Sequence, residues 1–242
     1  MYIDNKYYIL IFIVISLIYI IYNNFIIDNF ATKINEVSNK KKIVKYKRGD
    51  FELYEIENIL TDNECDELIN ISKNIGLEQS NVLNVKGSEL NISTRISEQL
   101  WLPNNYNNII KKLSDYNMTL TKLPYENQEN IQIVHYYQGG LFKLHTDACV
   151  YDKISCDEFA NRNNSGQRKS TLLVYLNDAF TEGETEFPSL NIKIVPKKGK
   201  GIFFYNTDKN ENILDDSYHK GNPVLNGEKW IATIWTHVNK FI

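Results

Sequence analysis

The stretch from Tyr136 to Asp147 constrains this chain more than any other part of its sequence. It enters as a strand, breaks at Gly139 and Gly140, and then presents His145 two residues before Asp147. Because successive side chains of a strand point to opposite faces, His145 and Asp147 can share one face of a sheet. An imidazole and a carboxylate on one face form half of a metal site, although an ordinary surface pair has the same spacing. The stretch therefore predicts a β-structure with a candidate metal site at its edge.

Short strands dominate the chain after Pro124. Clusters of Gly, Pro and Asn separate them, as turns do. Five segments are rich in β-branched or aromatic residues: Ile131 to Tyr137, Ser170 to Leu176, Ile192 to Val195, Gly201 to Tyr205 and Lys229 to Val238. Short strands with such turns predict a double-sheet jelly roll, also called a double-stranded β-helix.

Two helices precede these strands. Thr61 to Glu64 reads as a capping box that starts the first helix, which ends near Gly76. The second is expected from about Asn105 to Asn117, with its apolar residues at helical spacing. Both are predicted to pack outside the sheets, so the fold class is α+β, mainly β. Between them, the polar stretch 80–96 is either an ordinary hairpin or a segment that folds over a ligand.

The N-terminus carries an apolar segment. Tyr7 to Tyr22 has no charge, and with its extension to Ile27 it reaches the ~20 residues that span a bilayer as a helix. Tyrosines lie near both ends, where aromatic rings favour the membrane interface. A cleaved signal peptide is the alternative, but no small-residue cleavage site follows. We predict one transmembrane anchor at 1–28, a polar linker or stalk at 29–49, and a catalytic domain at 50–242.

Charge and cysteines narrow the classes of partner. The net charge of -3 gives no basic excess to neutralise phosphates, so no nucleic-acid partner is expected. Cys149 and Cys156 can pair in an oxidising compartment or remain free thiols. The many Ile, Asn, Lys and Tyr residues are typical of an AT-rich genome, viral or protist.

A third metal ligand is available near the C-terminus. His219 lies between Asp215-Asp216 and Gly221, in a loop with no apolar reason to hold an imidazole. Two histidines and one carboxylate on one side of an octahedron are the ligand set of non-haem Fe(II) oxygenases. His145, Asp147 and His219 are therefore the candidate iron ligands, with an exposed histidine as the alternative for His219.

The whole chain from about Thr94 onward resembles the 2-oxoglutarate- and Fe(II)-dependent dioxygenases of the prolyl 4-hydroxylase α-subunit type, with weaker similarity back to Phe51. The landmarks that carry the resemblance are Arg95-Ile96-Ser97 with Trp101, Glu129 to Gln132, Tyr136 with Gly139, His145-Thr146-Asp147, Leu173 to Asp178, Gly183 to Pro188, Lys198-Gly199, Phe203-Phe204, Ser217 to Val224 and Gly227 to Trp230. The resemblance implies a jelly roll with bound Fe(II), 2-oxoglutarate as cosubstrate and L-ascorbate to rescue oxidised iron.

The resemblance also implies roles for single residues. Alternation along the last strand places Lys229, Ile231, Thr233 and Trp235 on one face, so Lys229 is a charge in an apolar cavity unless it is paired. The distal carboxylate of 2-oxoglutarate is its expected partner, with Tyr136 and Thr171 bonded to the same carboxylate. A lysine that reaches solvent is the alternative. Four residues are expected to contact the peptide substrate: Trp235, His237, Glu129 and Arg95.

Two departures from the family pattern concern the substrate. Phe142 stands where the prolyl hydroxylases typically have tyrosine, and Glu182 replaces the first glycine of their Gly-Gly-Glu-Thr motif. Both departures leave the expected catalysis in place and bear on which substrate the protein accepts.

The resemblance thus predicts hydroxylation of peptidyl proline, in proline-rich or collagen-like chains, with O2 and 2-oxoglutarate, releasing succinate and CO2. The alternatives are another 2-oxoglutarate oxygenase, acting on lysine, a small molecule or a nucleobase, and a non-catalytic jelly-roll binding module. Relatives with one N-terminal anchor usually face the endoplasmic reticulum lumen, and sequons at Asn91, Asn117 and Asn163 fit that side. The lysines from Lys33 to Arg48 favour the cytosolic side instead.

Overall fold

The structure is a computed structural model that describes residues 32–38, 41–84, 87–89, 91, 93–151, 156–157 and 162–241. Within these residues the helices are α1 (Asp62–Ile75) and α2 (Asn108–Thr121). The strands are β1 (Thr32–Ser38), β2 (Lys41–Arg48), β3 (Phe51–Ile56), β4 (Glu78–Gln79), β5 (Val82–Asn84), β6 (Gly87–Glu89), β7 (Arg95–Ile96), β8 (Glu98–Leu102), β9 (Ile131–Tyr136), β10 (Leu141–His145), β11 (Arg168–Tyr175), β12 (Phe180–Glu182), β13 (Thr185–Phe187), β14 (Ile192–Ile194), β15 (Gly201–Tyr205), β16 (His219–Gly221), β17 (Val224–Gly227) and β18 (Lys229–His237).

Two antiparallel sheets make up most of the fold. The large sheet has the order β1-β2-β3-β15-β11-β18-β9-β8-β4, and the small sheet has the order β14-β13-β16-β10-β7. Strands β12 and β17 form a separate pair, as do β5 and β6. The arrangement is mainly β and jelly-roll-like, as the strand pattern predicted.

The core lies in two layers on either side of the large sheet. One layer packs α1 and α2 against the sheet through residues such as Leu68, Ile110 and Trp230. The other layer lies between the two sheets and includes Phe187 of β13 and Phe204 of β15. Because side chains alternate along β18, Trp230 enters the helix layer and Ile231 enters the layer between the sheets.

The helix starts follow the predicted chemistry with one shift. Thr61 caps α1, and the reciprocal bond from its backbone to Glu64 completes the predicted capping box. Helix α2 begins at Asn108, later than expected, because the Asn107 side chain accepts a hydrogen bond from Ile110 N at 2.8 Å. Tyr106 therefore lies outside the helix and is exposed, not part of its apolar face.

The predicted linker at 29–49 needs correction, because it contains two strands. Strand β1 pairs with β2, and β2 pairs with β3 of the large sheet. Tyr46 is buried, and its hydroxyl donates to Glu55 at 2.6 Å, whereas Lys45 and Lys47 pair with Glu52 of β3. These lysines hid the strand, since cross-strand ion pairs can stabilise a sheet where the sequence shows no apolar pattern.

The anchor predicted at 1–28 lies outside the described residues. Within the described ranges, no helix has the length and apolar character needed to cross a membrane. The stretch 80–96 contains the hairpin β5–β6.

Glu182 occupies the left-handed region of backbone space, with a φ of 60°. It ends β12, where the register with β17 shifts, and Gly183 follows with a φ of 70°. A side chain with a Cβ is strained in this region, which explains why glycine is the residue typical of this position in the family that the chain resembles.

We predict that Glu182→Gly raises the free energy of unfolding by about 0.5–1 kcal/mol. Left-handed strain of roughly 1–2 kcal/mol exceeds the ~0.5–1 kcal/mol entropic penalty of glycine. Urea unfolding measures the change. Thr181→Gly is the matched control, because exposed Thr181 lies on the same strand without a positive φ and should lose stability. Equal destabilisation of both variants would contradict the assignment of strain to Glu182.

Candidate active site

Pairing of two strands in the small sheet brings the candidate metal ligands together. His145 ends β10 and is the register partner of His219, the first residue of β16. Asp147 follows two residues after His145, and its oxygens lie 3.7 Å from His145 Nε2 and 3.9 Å from His219 Nε2. One donor atom from each residue lies within 4.8 Å of the other two. The three residues predicted from sequence thus form one cluster.

Backbone hydrogen bonds orient both imidazoles. His145 Nδ1 lies 2.8 Å from Lys143 O, and His219 Nδ1 lies 2.9 Å from Ser217 O. Since a carbonyl only accepts, each Nδ1 carries the proton and each Nε2 offers a lone pair beside Asp147. Metal-binding histidines have this arrangement, with the outer nitrogen donating to a carbonyl or carboxylate. The donor set of two nitrogens and one carboxylate suits Fe(II).

Burial and neighbouring charges together keep His145 and Asp147 in the protonation states that a metal requires. Burial and the neighbouring His219 lower the pKa of His145 to about 3, so its imidazole is neutral. Burial alone raises the pKa of Asp147, but the imidazoles of His219 and His145 and the charge of Arg168 outweigh it and hold that pKa below its ordinary value. A neutral imidazole and an ionised carboxylate are the forms that bind a metal.

Thr171 contacts the metal cluster through Asp147. Its hydroxyl donates to Asp147 Oδ2 at 2.6 Å and accepts a hydrogen bond from Asn206 Nδ2 at 3.0 Å. A hydroxyl has one hydrogen, and here it is committed to Asp147 and not to a second carboxylate. Thr171 therefore orients a candidate metal ligand, and Asn206, which sequence reasoning did not single out, orients Thr171.

Lys229 is a buried lysine whose polar contact is a backbone carbonyl. It is 3% exposed, and its Nζ donates to Gly183 O at 2.6 Å. Within the described part of the chain, no carboxylate lies close enough to form an ion pair with it. Burial lowers its pKa to about 7, and the more distant charge of Glu184 offsets this only in part. An isolated buried charge is costly, so the pocket is suited to an anionic ligand.

The pocket around Lys229 is continuous with the metal cluster. Lys229, His145, Asp147 and His219 all line one cavity between the two sheets. The rings of Tyr136 and Tyr175 lie 5.4 Å and 5.7 Å from Lys229 Nζ.

Thr185 lines the same cavity and accepts a hydrogen bond from the Tyr175 hydroxyl at 2.8 Å. The sequence marked Thr185 only as part of a motif, without a role. Tyr136, which the sequence did single out, lines the same cavity.

An outer cleft of about 810 Å³ opens above the metal cluster. Three of the four predicted peptide-contact residues line it: Arg95, Glu129 and Trp235. Arg168, which no sequence pattern marked, lines it as well, with its guanidinium carbon 4.0 Å from the centre of the Trp235 ring. Trp101 adds a second indole, 5.8 Å from that of Trp235 between ring centres.

His237 does not reach this cleft, contrary to expectation. It is fully buried, with Nε2 2.8 Å from Glu129 Oε1 and Nδ1 near Ser165 and Gly166. Alternation predicts that His237 shares a face with Trp235, but β11 shifts register opposite the end of β18. His237 instead supports Glu129, which also accepts hydrogen bonds from Arg168, one of them at 3.0 Å.

Two further positions bear on the surroundings of the cluster. Phe142, where a tyrosine was expected, stacks on His145 with 3.6 Å between ring centres and contributes no hydroxyl. Cys149, two residues after Asp147, forms a disulfide with Cys156, which decides between the two alternatives left by the sequence. Cys65 is a buried free thiol.

Comparison with known proteins agrees with this geometry. Residues 131–237 match the family model of the 2OG-Fe(II) oxygenase superfamily. A putative prolyl 4-hydroxylase of Acanthamoeba polyphaga mimivirus is 36% identical over 187 residues, which cover 77% of this chain and 74% of the relative. Prolyl 4-hydroxylase 2 of Arabidopsis thaliana is 31% identical over 232 residues, covering 87% and 72%.

A solved structure shares the fold. The viral collagen prolyl hydroxylase of Paramecium Bursaria Chlorella virus-1, in its 2OG complex, superposes with a TM-score of 0.62 at 31% identity. The match covers 78% of this chain and 96% of that one.

We predict that Glu129 makes the free energy of unfolding depend on pH in the acid range. Burial raises its pKa, but Arg168 and His237 outweigh burial and hold it at about 2, against an ordinary 4.5. A lowered native pKa stabilises the fold above the unfolded pKa, and this contribution is lost as the pH falls from about 4.5 towards 2. It amounts to roughly 3 kcal/mol.

Glu129→Gln should therefore be less stable than the unmodified protein at neutral pH, and the two unfolding free energies should converge near pH 2. Denaturant titrations at several pH values measure both. A constant difference across that range would show that Glu129 carries no lowered pKa.

Proposed function

This chain belongs to the 2-oxoglutarate- and Fe(II)-dependent oxygenases, with a prolyl 4-hydroxylase-like catalytic domain, and we propose that it hydroxylates peptidyl proline. The observation that carries the proposal is buried Lys229, which has no carboxylate partner among the described residues, in the same cavity as His145, Asp147 and His219. A dianionic keto acid that chelates a metal at one end and meets an ammonium at the other fits this cavity.

The residues are assigned as follows. His145, Asp147 and His219 hold Fe(II), and Lys229, together with Tyr136, holds the distal carboxylate of 2-oxoglutarate. Iron and 2-oxoglutarate, when bound, supply the oxidising chemistry: with O2 they hydroxylate a C–H bond while the keto acid becomes succinate and CO2. L-ascorbate is proposed to return oxidised iron to Fe(II).

The protein supplies position and a dry environment. Thr171 and the carbonyls of Lys143 and Ser217 fix the three ligand side chains before a metal arrives. With three protein ligands, a bound metal would still have room to bind the keto acid. Apolar neighbours such as Leu173 and Ile231 exclude water from the cavity, which strengthens the ion pair of Lys229.

The proposed substrate is a proline-containing peptide or a collagen-like chain. Two relatives and one solved structure with 31–36% identity carry names of prolyl hydroxylases. The cleft above the cluster offers Trp101 and Trp235 as apolar surfaces and Arg95, Arg168 and Glu129 as polar ones. Aromatic surfaces suit the rigid, apolar ring of proline in an extended peptide.

We predict that Lys229→Ala raises the KM for 2-oxoglutarate by one to several orders of magnitude. Removing one partner of a buried charged pair costs ~2–5 kcal/mol, at roughly tenfold per 1.4 kcal/mol. Titration of 2-oxoglutarate at saturating Fe(II) measures the change. Lys229→Arg should retain more function, because it keeps the charge.

The control is Lys200→Met, which removes another buried lysine, one that is already paired with Glu55 at 2.9 Å. Its KM should match that of the unmodified protein. Because the unliganded pKa of Lys229 is about 7, the unmodified protein should also bind 2-oxoglutarate more weakly as the pH rises above 7, whereas the Arg variant should not. An unchanged KM in Lys229→Ala would remove Lys229 from the cosubstrate site.

The substrate is tested with matched peptides. Proline-rich and collagen-like peptides should gain one oxygen atom per succinate released, and the same peptides with alanine for proline should release little succinate. Mass spectrometry locates the added oxygen. Succinate coupled to a proline-free peptide or a small molecule would replace the proline assignment while leaving the oxygenase intact, and Asp147→Ala provides the inactive control.

For location we propose a membrane-anchored protein whose catalytic domain faces the lumen of the endoplasmic reticulum. The disulfide between Cys149 and Cys156 supports an oxidising compartment. The apolar segment from Tyr7 to Tyr22 supports the anchor.

A further inference from the structure

The loop that carries His219 is tied to the N-terminal hairpin by one arginine. Arg48, the last residue of β2, donates from Nε to Asp216 Oδ2 at 2.7 Å and from Nη2 to the other oxygen of the same carboxylate. Asp216 lies in the short 3-10 turn Asp215–Ser217, three residues before His219. The contact thus joins positions 168 residues apart in sequence.

The same guanidinium reaches a second loop. Arg48 Nη1 donates to Ser189 O at 2.7 Å, in the turn Pro188–Leu190 that packs beside the turn of Asp216. Phe187, which precedes that turn, stacks on the imidazole of His219 with 5.4 Å between ring centres. Arg48 therefore joins the turn that follows Phe187, whose ring stacks on His219, to the loop that precedes His219.

The hairpin β2–β3 is itself packed into the layer that surrounds His219. Tyr46 and Phe51 are buried in the same cluster as Phe187 and Phe204. Phe51 lies 6.0 Å from Phe187, and Phe204 lies 4.9 Å from His219, between ring centres. The backbone of Arg48 thus belongs to a hairpin that is packed into the core.

Geometry and burial make this pair stronger than an ordinary surface ion pair. The side chains of Arg48 and Asp216 are 20% and 15% exposed, and the planar fork meets the carboxylate at two points. A two-point contact fixes direction as well as distance, which a single lysine contact does not. Fixing Asp216 also fixes Ser217, whose carbonyl accepts from His219 Nδ1 and whose hydroxyl lies 3.2 Å from that of Thr146.

We propose that Arg48 is a positioning residue for the metal site, acting through Asp216 and Ser217 to hold His219 in line with His145 and Asp147. The inference rests on the proposed Fe(II) site but assigns a new residue to it. It gives the segment that reads as a linker in the sequence a part in metal binding.

The test is the affinity of the full chain for Mn(II), an air-stable substitute for Fe(II), measured without 2-oxoglutarate or peptide from the paramagnetic resonance signal of the free ion. Arg48→Gln and Asp216→Asn should each weaken binding about tenfold, the lower end of the ~10–100-fold typical of residues behind metal ligands. The double variant should lose no more than either single variant, because both remove one contact. The Mn(II) affinity of Arg48→Lys should fall between those of the unmodified protein and Arg48→Gln, since lysine keeps the charge but not the two-point contact.

Lys45→Gln is the matched control. Lys45 lies on the same strand, is 18% exposed, and pairs with Glu52 at 2.8 Å inside the hairpin without touching the His219 loop. It should change thermal stability about as much as Arg48→Gln but leave Mn(II) affinity unchanged. Unchanged affinity in Arg48→Gln, or equal weakening in Lys45→Gln, would overturn the positioning role.

The failure of the proposed metal site itself has a different signature. His219→Ala should abolish Mn(II) binding in the same assay. If the unmodified protein binds no Mn(II), or if His219→Ala binds as well as the unmodified protein, the metal site falls and the role of Arg48 falls with it.

Discussion

Strand β18 is the element on which the rest of the structure depends, because all nine of its residues are buried and its two faces serve different purposes. One face sends Trp230, Ala232 and Ile234 into the layer under the helices. The other sends Lys229, Ile231, Thr233 and Trp235 into the cavity between the sheets. Since successive side chains alternate, a shift of the whole strand by one residue would place Trp230 in the cavity and Lys229 in the layer under the helices. The packing of the domain and the geometry of its site are therefore fixed by the same register.

The buried charged groups of the site are arranged so that bound ligands of opposite charge would neutralise them. Asp147 lies beside two imidazoles and a hydroxyl, and Lys229 has a backbone carbonyl as its polar partner. Metal and keto acid would bring the opposite charges that these buried groups lack. The outer cleft differs, because Glu129 and Arg168 already satisfy each other and His237 supports them from behind. The Glu129–Arg168 pair of the cleft is thus preformed, whereas Lys229 in the inner cavity has no carboxylate partner among the described residues, which is the arrangement expected if the cosubstrate binds inside and an extended peptide outside.

The sequence predicted the parts that depend on local pattern. Alternation along β18 assigned Lys229 to the cavity, and the spacing of His145 and Asp147 assigned them to one face. The sequence did not predict the features that depend on contacts between distant segments. The lysines of β2 disguised a strand, because pairing to β1 and β3 needs backbone groups and not apolar side chains. Nothing near Arg48 or Arg168 signals their partners at Asp216 and Glu129. The register shift opposite the end of β18 redirected His237, and the direction of the single hydrogen of Thr171 depended on where Asp147 lies.

The central claim is that the His145, Asp147 and His219 cluster and the Lys229 ammonium form one site for a metal-chelating keto acid. Anaerobic optical titration of the Fe(II)-loaded protein with 2-oxoglutarate tests it directly, because a keto acid chelated to Fe(II) absorbs visible light by charge transfer. We expect a visible band that appears only with both components, saturates at one 2-oxoglutarate per protein, and fails to form when succinate replaces 2-oxoglutarate. A protein that binds Fe(II) but shows no such band at any 2-oxoglutarate concentration would contradict it.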